Sequence, residues 1–488
     1  MRKPRTWPGL APAGLAAACG AALALGQAPW GLWWLALPAL SVLLHRLTGG
    51  AARAAWLGWV AGTAYFAAAM FWIVEPFLVD AARDGWMAPF ALVFLSLGLG
   101  LFWAGAAALG AWAGGPVALA LAFTAADLLR GYALTGFPWA LLGHVWIDTP
   151  VAQLAAYVGP AGLSFFTLLV AAAPIRSLHR GLPVAAVLLG LAWGGGLLRL
   201  AEPDPAGQGV TVRIIQPNAA QHLKWDPDMA ALFFQRQLEM SAAREGGAPD
   251  LVLWPETAVN FLLEDQLGLD IIAEAAGGVP VALGIQRREG RRFYNSLAVI
   301  DPEARVQALY DKHHLVPFGE YVPFGDLLDG FGLRGFAARE GQGYSAGPGP
   351  AVLDLGPLGR VLPLICYEAV FPQDLRAPER PDWILQATND AWFGRLVGPY
   401  QHLAQARLRA VEQGLPLIRA ANTGVSGVID AKGRLHQSLP LDSHGFIDAE
   451  VPGALAPTPY AVLGDLPIGL LLLASFVALG FTRFRNSG

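Results

Sequence analysis

Residues 362–372 read LPLICYEAVFP. An apolar run ends on a lone cysteine, Cys366, and a tyrosine and a glutamate follow at once. A short apolar run bounded by polar residues reads as a strand buried in a sheet. The thiol at its end has two readings. A free cysteine is among the most buried residue types and packs as a small hydrophobe. Strand ends are also where α/β folds place reactive groups. Glu368, two residues on, puts charge beside the thiol, which a purely structural core would avoid.

Outward from this strand the pattern alternates. DWILQATND (382–390) is the next strand, with FPQDLRA (371–377) as a short helix between. PYQHLAQARLRAVEQG (399–414) is a helix, and PLIRAANTGVSGVID (416–430) is extended again. Upstream, VTVRIIQPN (210–218) and DLVLWPE (250–256) read as strands around the amphipathic helix PDMAALFFQRQLEMSAAR (227–244). The helix QLGLDIIAEAAG (266–277) follows, then strands at 279–287, 293–302 and 306–314. Strands alternating with helices predict an α/β domain with a largely buried sheet over residues 206–455.

The remainder of the chain is of another kind. Of 488 residues, 55% are hydrophobic and 14% charged, against about 25% charged in soluble proteins. Mean hydropathy is +0.44. The apolar mass lies in residues 1–205 and 456–488. With about 20 apolar residues per span, seven transmembrane helices are expected near 8–26, 28–45, 54–75, 86–108, 111–129, 161–176 and 182–199, and an eighth near 461–481. MRKPR at the start resembles a signal-peptide n-region, but the first apolar stretch runs through GQAPWGLWWL into another span. Positive loops face the cytoplasm. With the N-terminus inside, inside segments hold Arg2, Lys3, Arg5, Arg46, Arg53, Arg176, Arg180, Arg483 and Arg485, and outside loops hold Arg83, Arg130 and Arg199. That bias puts 206–455 outside the cytoplasm.

A net charge of −4 gives no nucleic-acid signal. Two cysteines, Cys19 and Cys366, form no disulfide framework or CxxC site. His313 and His314, read as neighbours on a strand, point to opposite faces and suit no single metal. No metal and no cofactor are expected.

Three strand ends carry groups that act together in thiol chemistry: Glu256 in LVLWPE, Lys312 in LYDKHH and Cys366. A thiol is mostly protonated at neutral pH, its free pKa being about 8.5. A carboxylate can take its proton, and an ammonium can stabilise the thiolate and then a tetrahedral oxyanion. On that reading, mildly alkaline pH partly rescues loss of the base. Taken singly, each residue has a bland reading: Glu256 beside a helix N-terminus, Lys312 in a solvated loop, Cys366 in a core.

WPE, DKHHLVPFGE and CYE resemble the Glu–Lys–Cys signature of the nitrilase superfamily, and YNS, TNDAWFG and HLAQARLRAVEQGLPLIRAANTG agree. Such a domain, set between several N-terminal spans and one C-terminal span, resembles the apolipoprotein N-acyltransferases, the membrane-embedded branch. LVPFGEYVPF and the NDAWFG…GPYQHL block are specific to that branch.

The resemblance implies an α-β-β-α sandwich on a multi-span helical membrane domain. It implies Glu256 as general base, Lys312 as oxyanion partner, Cys366 as nucleophile, and Glu320 as a second glutamate that holds Lys312 or positions the base. Tyr367 and Glu368 resemble flanking residues needed for activity. Trp225 in HLKWDP resembles an aromatic on a mobile arm over the site; an interfacial tryptophan is its other reading. Asn295 in YNS supports the site or satisfies a backbone group.

By the same resemblance the acyl donor is a phospholipid, phosphatidylethanolamine, and the acceptor a diacylglyceryl apolipoprotein. The setting is the bacterial inner membrane, with the catalytic domain periplasmic. The loop at 318–336, rich in aromatics and leucine, is expected to dip into the interface. Two rivals stand beside this reading: a membrane-tethered amidase of small C–N substrates, and a non-catalytic binding scaffold.

Overall fold

The computed structural model describes residues 10–244, 247–323 and 343–487. Most of the interface loop expected at 318–336, and the N-terminal charges Arg2, Lys3 and Arg5, lie outside them. The chain forms two compact units, Met1–Glu202 with Thr458–Gly488, and Pro203–Pro457.

The first unit is helical, as a lipid-facing backbone must be when no water can satisfy it. Among the described residues, three helices are long and apolar enough to cross a membrane: Ala81–Ala113, Pro150–Ile175 and Leu178–Ala201. Ala51–Ala69 and Phe71–Leu78 together form a fourth, bent by 48°. Leu10–Ala24, Trp33–Leu47 and Leu466–Thr482 are shorter apolar helices. Small residues let these helices approach closely. A Cβ on Gly58 would lie 2.6 Å from the Ala107 side chain and 2.7 Å from the Trp103 carbonyl oxygen. Pro116–Tyr132 carries a buried ion pair, Arg130–Asp127 at 3.3 Å. Arg130 also donates to the carbonyls of Phe137 and Trp139, and Asp127 accepts from the Leu142 amide. Arg130, counted above among loop charges, is thus a buried tie for the irregular segment that follows its helix.

The second unit holds two six-stranded sheets. The first has β1 (Thr211–Gln216), β2 (Leu251–Leu253), β3 (Val281–Glu289), β4 (Arg292–Ile300), β5 (Val306–Asp311) and β12 (Gly445–Glu450), in the order β12-β1-β2-β3-β4-β5. The second has β6 (Leu353–Asp354), β7 (Arg360–Ile365), β8 (Trp383–Thr388), β9 (Leu417–Ala421), β10 (Ser426–Ile429) and β11 (Leu435–Leu439), in the order β11-β10-β9-β8-β7-β6. β1-β2-β3 and β7-β8-β9 are parallel and the flanking pairs antiparallel. β1 lies against β9, β3 against β8 and β4 against β7, so the sheets stack face to face.

Each outer face is covered by helices. Met240, Leu269, Ile272 and Ala276, from Pro227–Ala242 and Gln266–Ala276, pack on Val252, Val281 and Leu283. Ala406 and Ala410, from Gly398–Gln413, pack on Leu362, Leu364 and Ile384. Full burial of one of these valine, leucine, isoleucine or methionine side chains stabilises by about 1.5–3 kcal/mol. This is the expected α-β-β-α sandwich. Its parallel strands β2, β7 and β8 end at one edge, and the chain leaving them carries Glu256, Cys366 and Asn389.

Candidate active site

β7 ends at Ile365, and the chain turns at once into the 3-10 turn Cys366–Val370. Cys366 takes φ +49°, a left-handed backbone that costs a non-glycine residue on the order of 1–3 kcal/mol. The surroundings hold it there. The Cys366 carbonyl lies 3.0 Å from His402 Nε2 and accepts from Gln386 Nε2 at 3.4 Å. Glu368 is fully buried, and its carboxylate is turned onto backbone. It accepts from the amides of Ile365 (2.7 Å), His313 (2.8 Å) and His314 (3.3 Å), and from the Tyr310 hydroxyl (2.8 Å). The charge beside the thiol is therefore a clamp joining the Cys366 turn to the Lys312 segment. Tyr367 is buried, with Phe371 and His314 edge-on to its ring, and burial raises its phenol above the ordinary range.

Lys312 follows β5, one residue past its end, and its amide donates to the Asn295 carbonyl of β4. Its Nζ lies 2.9 Å from Glu320 Oε1 and 3.3 Å from Glu256 Oε1. Asn295 Nδ2 donates to the same two carboxylates, at 2.7 Å to Glu256 and 3.0 Å to Glu320. The Asn389 amide donates to the second Glu256 oxygen at 2.9 Å, and the Val316 amide to the second Glu320 oxygen at 2.8 Å. Glu256, Lys312, Glu320 and Asn295 thus form one buried, hydrogen-bonded group. Asn295 does more than satisfy a backbone group: its amide bridges both carboxylates.

Glu256 reaches this group because β2 stops at Leu253 and the chain bends through Pro255. The bend presses on β3, where a Cβ at Gly284 would lie 2.5 Å from both Glu256 Cα and the Pro255 carbonyl oxygen. Glycine at 284 is therefore required for the approach.

Burial raises the Cys366 thiol well above its ordinary value, and Glu256 pushes the same way, with Lys312 opposing. The thiol is protonated at rest. Burial thus weighs against the partial rescue at mildly alkaline pH expected from the sequence. Burial alone would lower the Lys312 ammonium, but Glu256 and Glu320 hold it well above lysine's usual range.

A second buried network, which sequence reading missed, meets the Cys366–Val370 turn, the elbow, at the Cys366 carbonyl. Asp390 meets His402 Nδ1 (2.8 Å), the Thr388 hydroxyl (3.0 Å) and the Arg419 guanidinium. Burial opposes its charge, yet Arg419 and His402 hold its carboxyl down at about 2. Asp390 and His402 stand in the quoted NDAWFG…GPYQHL block, so a signal existed, but nothing local marks them as neighbours of Cys366. Trp225 is half-buried beside Lys224, whose Nζ lies 5.9 Å from its ring centre. It is outside the carboxylate group.

The two histidines correct another expectation. β5 ends at Asp311, so they are not on a strand. Both face Asp374, His314 Nδ1 at 2.8 Å and His313 Nε2 at 3.4 Å, and the three ligand atoms lie within 4.8 Å of one another. Burial alone would lower His313, but Asp374 and Glu368 raise it to about 10. His313 therefore pairs as a cation with Asp374 and Glu368 at neutral pH.

The described geometry is that of a buried thiol within electrostatic reach of a carboxylate and an ammonium. Comparison with known proteins gives it a lineage. The profile of the apolipoprotein N-acyltransferase N-terminal domain matches residues 19–173, and that of the carbon-nitrogen hydrolases matches residues 211–460. An apolipoprotein N-acyltransferase of Caulobacter vibrioides is 38% identical, over 98% of this chain and 96% of that one. One from Sinorhizobium medicae is 38% identical over 95% of each chain, and one from Brucella melitensis 37% over 94% of each. The chain belongs to the apolipoprotein N-acyltransferase family. Membership fixes the two-part plan: an N-terminal membrane part and a nitrilase-type sandwich in one chain. It makes the protein a membrane protein, consistent with its apolar helices.

Proposed function

We propose that the protein transfers an acyl chain from a phospholipid, phosphatidylethanolamine, to the α-amino group of the N-terminal diacylglyceryl-cysteine of an apolipoprotein. The transfer runs through a thioester on Cys366. The observation that carries this is the strained, buried Cys366, whose thiol lies within electrostatic reach of Glu256 and Lys312, with Glu320 completing their ion-paired group. Glu256 takes the thiol proton as sulfur attacks the ester carbonyl, because the thiol does not ionise beforehand. The carbonyl electrons move to oxygen, and Lys312 with backbone N–H groups of the elbow stabilises the oxyanion. The C–O bond breaks, Glu256 returns the proton to the leaving oxygen, and lysophospholipid departs. The free amine of the acceptor then attacks the thioester, Glu256 takes its proton, the C–S bond breaks and the thiol is re-formed. Glu320 and Asn295 hold Lys312 and Glu256 in place, and Tyr367 and Glu368 hold the elbow.

The setting that fits is the bacterial inner membrane. Residues 1–205 carry about seven spans, 206–455 face the periplasm and 456–488 return the chain to the cytoplasm. Both substrates keep their acyl chains in the bilayer, which accounts for far more apolar helix than an anchor needs. A buried site protects the thioester from water.

Incubation with phospholipid and no acceptor should add one acyl mass to the intact protein, removable by hydroxylamine at neutral pH. Cys366→Ser should take up none; an adduct persisting in that variant would remove Cys366 as the nucleophile.

A further inference from the structure

Residues 217–226, between β1 and helix Pro227–Ala242, carry a cation that the chemistry above does not use. Lys224 is 7% exposed. Its Nζ donates to the Glu256 carbonyl oxygen at 3.3 Å and stands over the Trp225 ring. An ammonium has three N–H donors, and among the described residues this one makes that single hydrogen bond and no ion pair. Lys312 is matched by two carboxylates. Taking an unmatched charge out of water is unfavourable unless a counter-charge meets it. The charges acting on Lys224 are those of Glu256 and Cys366, so its ammonium is within electrostatic reach of the reacting thiol. Burial lowers it to about 8, against the pull of Glu256 and Cys366.

We propose that Lys224 binds the phosphodiester of the acyl-donor lipid and so seats its ester carbonyl at Cys366. This rests on the acyl-transfer reading above. Of the two substrates, only the donor carries phosphate, three glycerol carbons or fewer from its ester groups. The acceptor's diacylglyceryl-cysteine carries none. Lys224 therefore distinguishes the substrate of the first half-reaction from that of the second, and departure of the lysophospholipid empties its site for the acceptor. A compact ammonium suits one phosphate oxygen.

The test uses the full chain in micelles and single-turnover acylation of Cys366 with two donors of equal acyl length, a phospholipid and an uncharged ester. Charge-assisted hydrogen bonds of this kind change affinity roughly 10- to 100-fold. Lys224→Met should raise the ratio of half-saturating phospholipid to half-saturating uncharged ester by that factor, and Lys224→Arg should restore most of it. In the wild type the ratio should rise above pH 8, as Lys224 loses its proton facing Glu256, Cys366 and, behind them, Lys312 and Glu320; in Lys224→Arg it should not. An unchanged ratio in Lys224→Met, with both donors slowed alike, would overturn the proposal and leave Lys224 a support for the Glu256 backbone. Inorganic phosphate competing as strongly as glycerophosphoethanolamine would overturn the lipid assignment. A wild-type chain acylated by neither donor would overturn the acyl-transfer reading itself.

Discussion

The Cys366 thiol is raised first by burial and then by Glu256, so in the proposed mechanism its proton leaves during attack. Glu256→Gln removes the proposed acceptor of that proton but leaves the burial. Acylation should fall by about 10²–10⁴, the usual reach of a general base. Raising the pH to mildly alkaline values should restore little of it. A single-turnover series that recovered fully by pH 9 would mean that the thiol ionises unaided. His313 gives the complementary case, a group ionised by its neighbours. Its folded pKa is raised to about 10 by Asp374 and Glu368, above the value of about 6.5 in an unfolded chain. The stability it supplies is therefore complete below pH 6.5 and lost as pH rises through about 10. His313→Gln should melt lower than wild type at pH 6, by roughly 2–4 °C per kcal/mol lost. The gap should close by pH 10; a constant gap would mean that packing, not charge, is what the variant loses. Neither behaviour was legible in the sequence. LPLICYE names the thiol and its neighbours, but Glu368 turned out to grip backbone from residues 313 and 314, and that depends on a fold no local pattern encodes.

At the scale of elements, the buried strands were the legible part. β3, β4, β7, β8 and β9 fall where apolar, β-branched runs predict them, because a strand covered on both faces must be apolar throughout. Boundaries moved where tertiary partners competed with the ladder. β2 stops at Leu253 because Pro255 has no amide to give, and β5 ends because, after a last Lys312 amide bond to β4, the His313 and His314 amides go to the Glu368 carboxylate. The edge strands β6, β11 and β12 went unread, being short or half-exposed. The division into two stacked sheets was implied by resemblance, not by pattern. Gly284 shows how an unmarked residue sets the site. An alanine there would meet backbone on the Glu256 bend at 2.5 Å, and backbone does not yield like a side-chain tip. Displacing a reacting group by about 1 Å can cost 10²-fold in rate, so Gly284→Ala should lower acylation to that extent while far-UV circular dichroism stays native. A variant as fast as wild type would mean that β3 moves aside and the fit at Glu256 is looser than described.

The whole chain joins two chemistries that need opposite solvents, and its ends of contact are simple. β1 pairs antiparallel with β12, from Thr211↔Glu450 to Gln216↔Gly445, and the Gln208 amide donates to the Val451 carbonyl at 2.9 Å. The sandwich is thus an insertion whose incoming and outgoing strands lie side by side, and whatever side of the membrane receives residue 203 also releases residue 457. Orientation then rests on the charges flanking the apolar helices. Two of the three counted outside are not free loop charges: Arg130 is buried against Asp127, and Arg199 is buried in the last turn of Leu178–Ala201, donating to Gln153. The bias toward an inside N-terminus is sharper for their removal. A reporter that works only after export, fused after Leu200, should be active, and the same reporter fused after Gly488 should be silent. Activity at both points would mean that the last apolar helix, Leu466–Ser487, does not cross. Silence at Leu200 would place the Cys366 thiol in the cytoplasm, away from the exported lipoproteins it is proposed to acylate, and would end the proposed acceptor along with the topology.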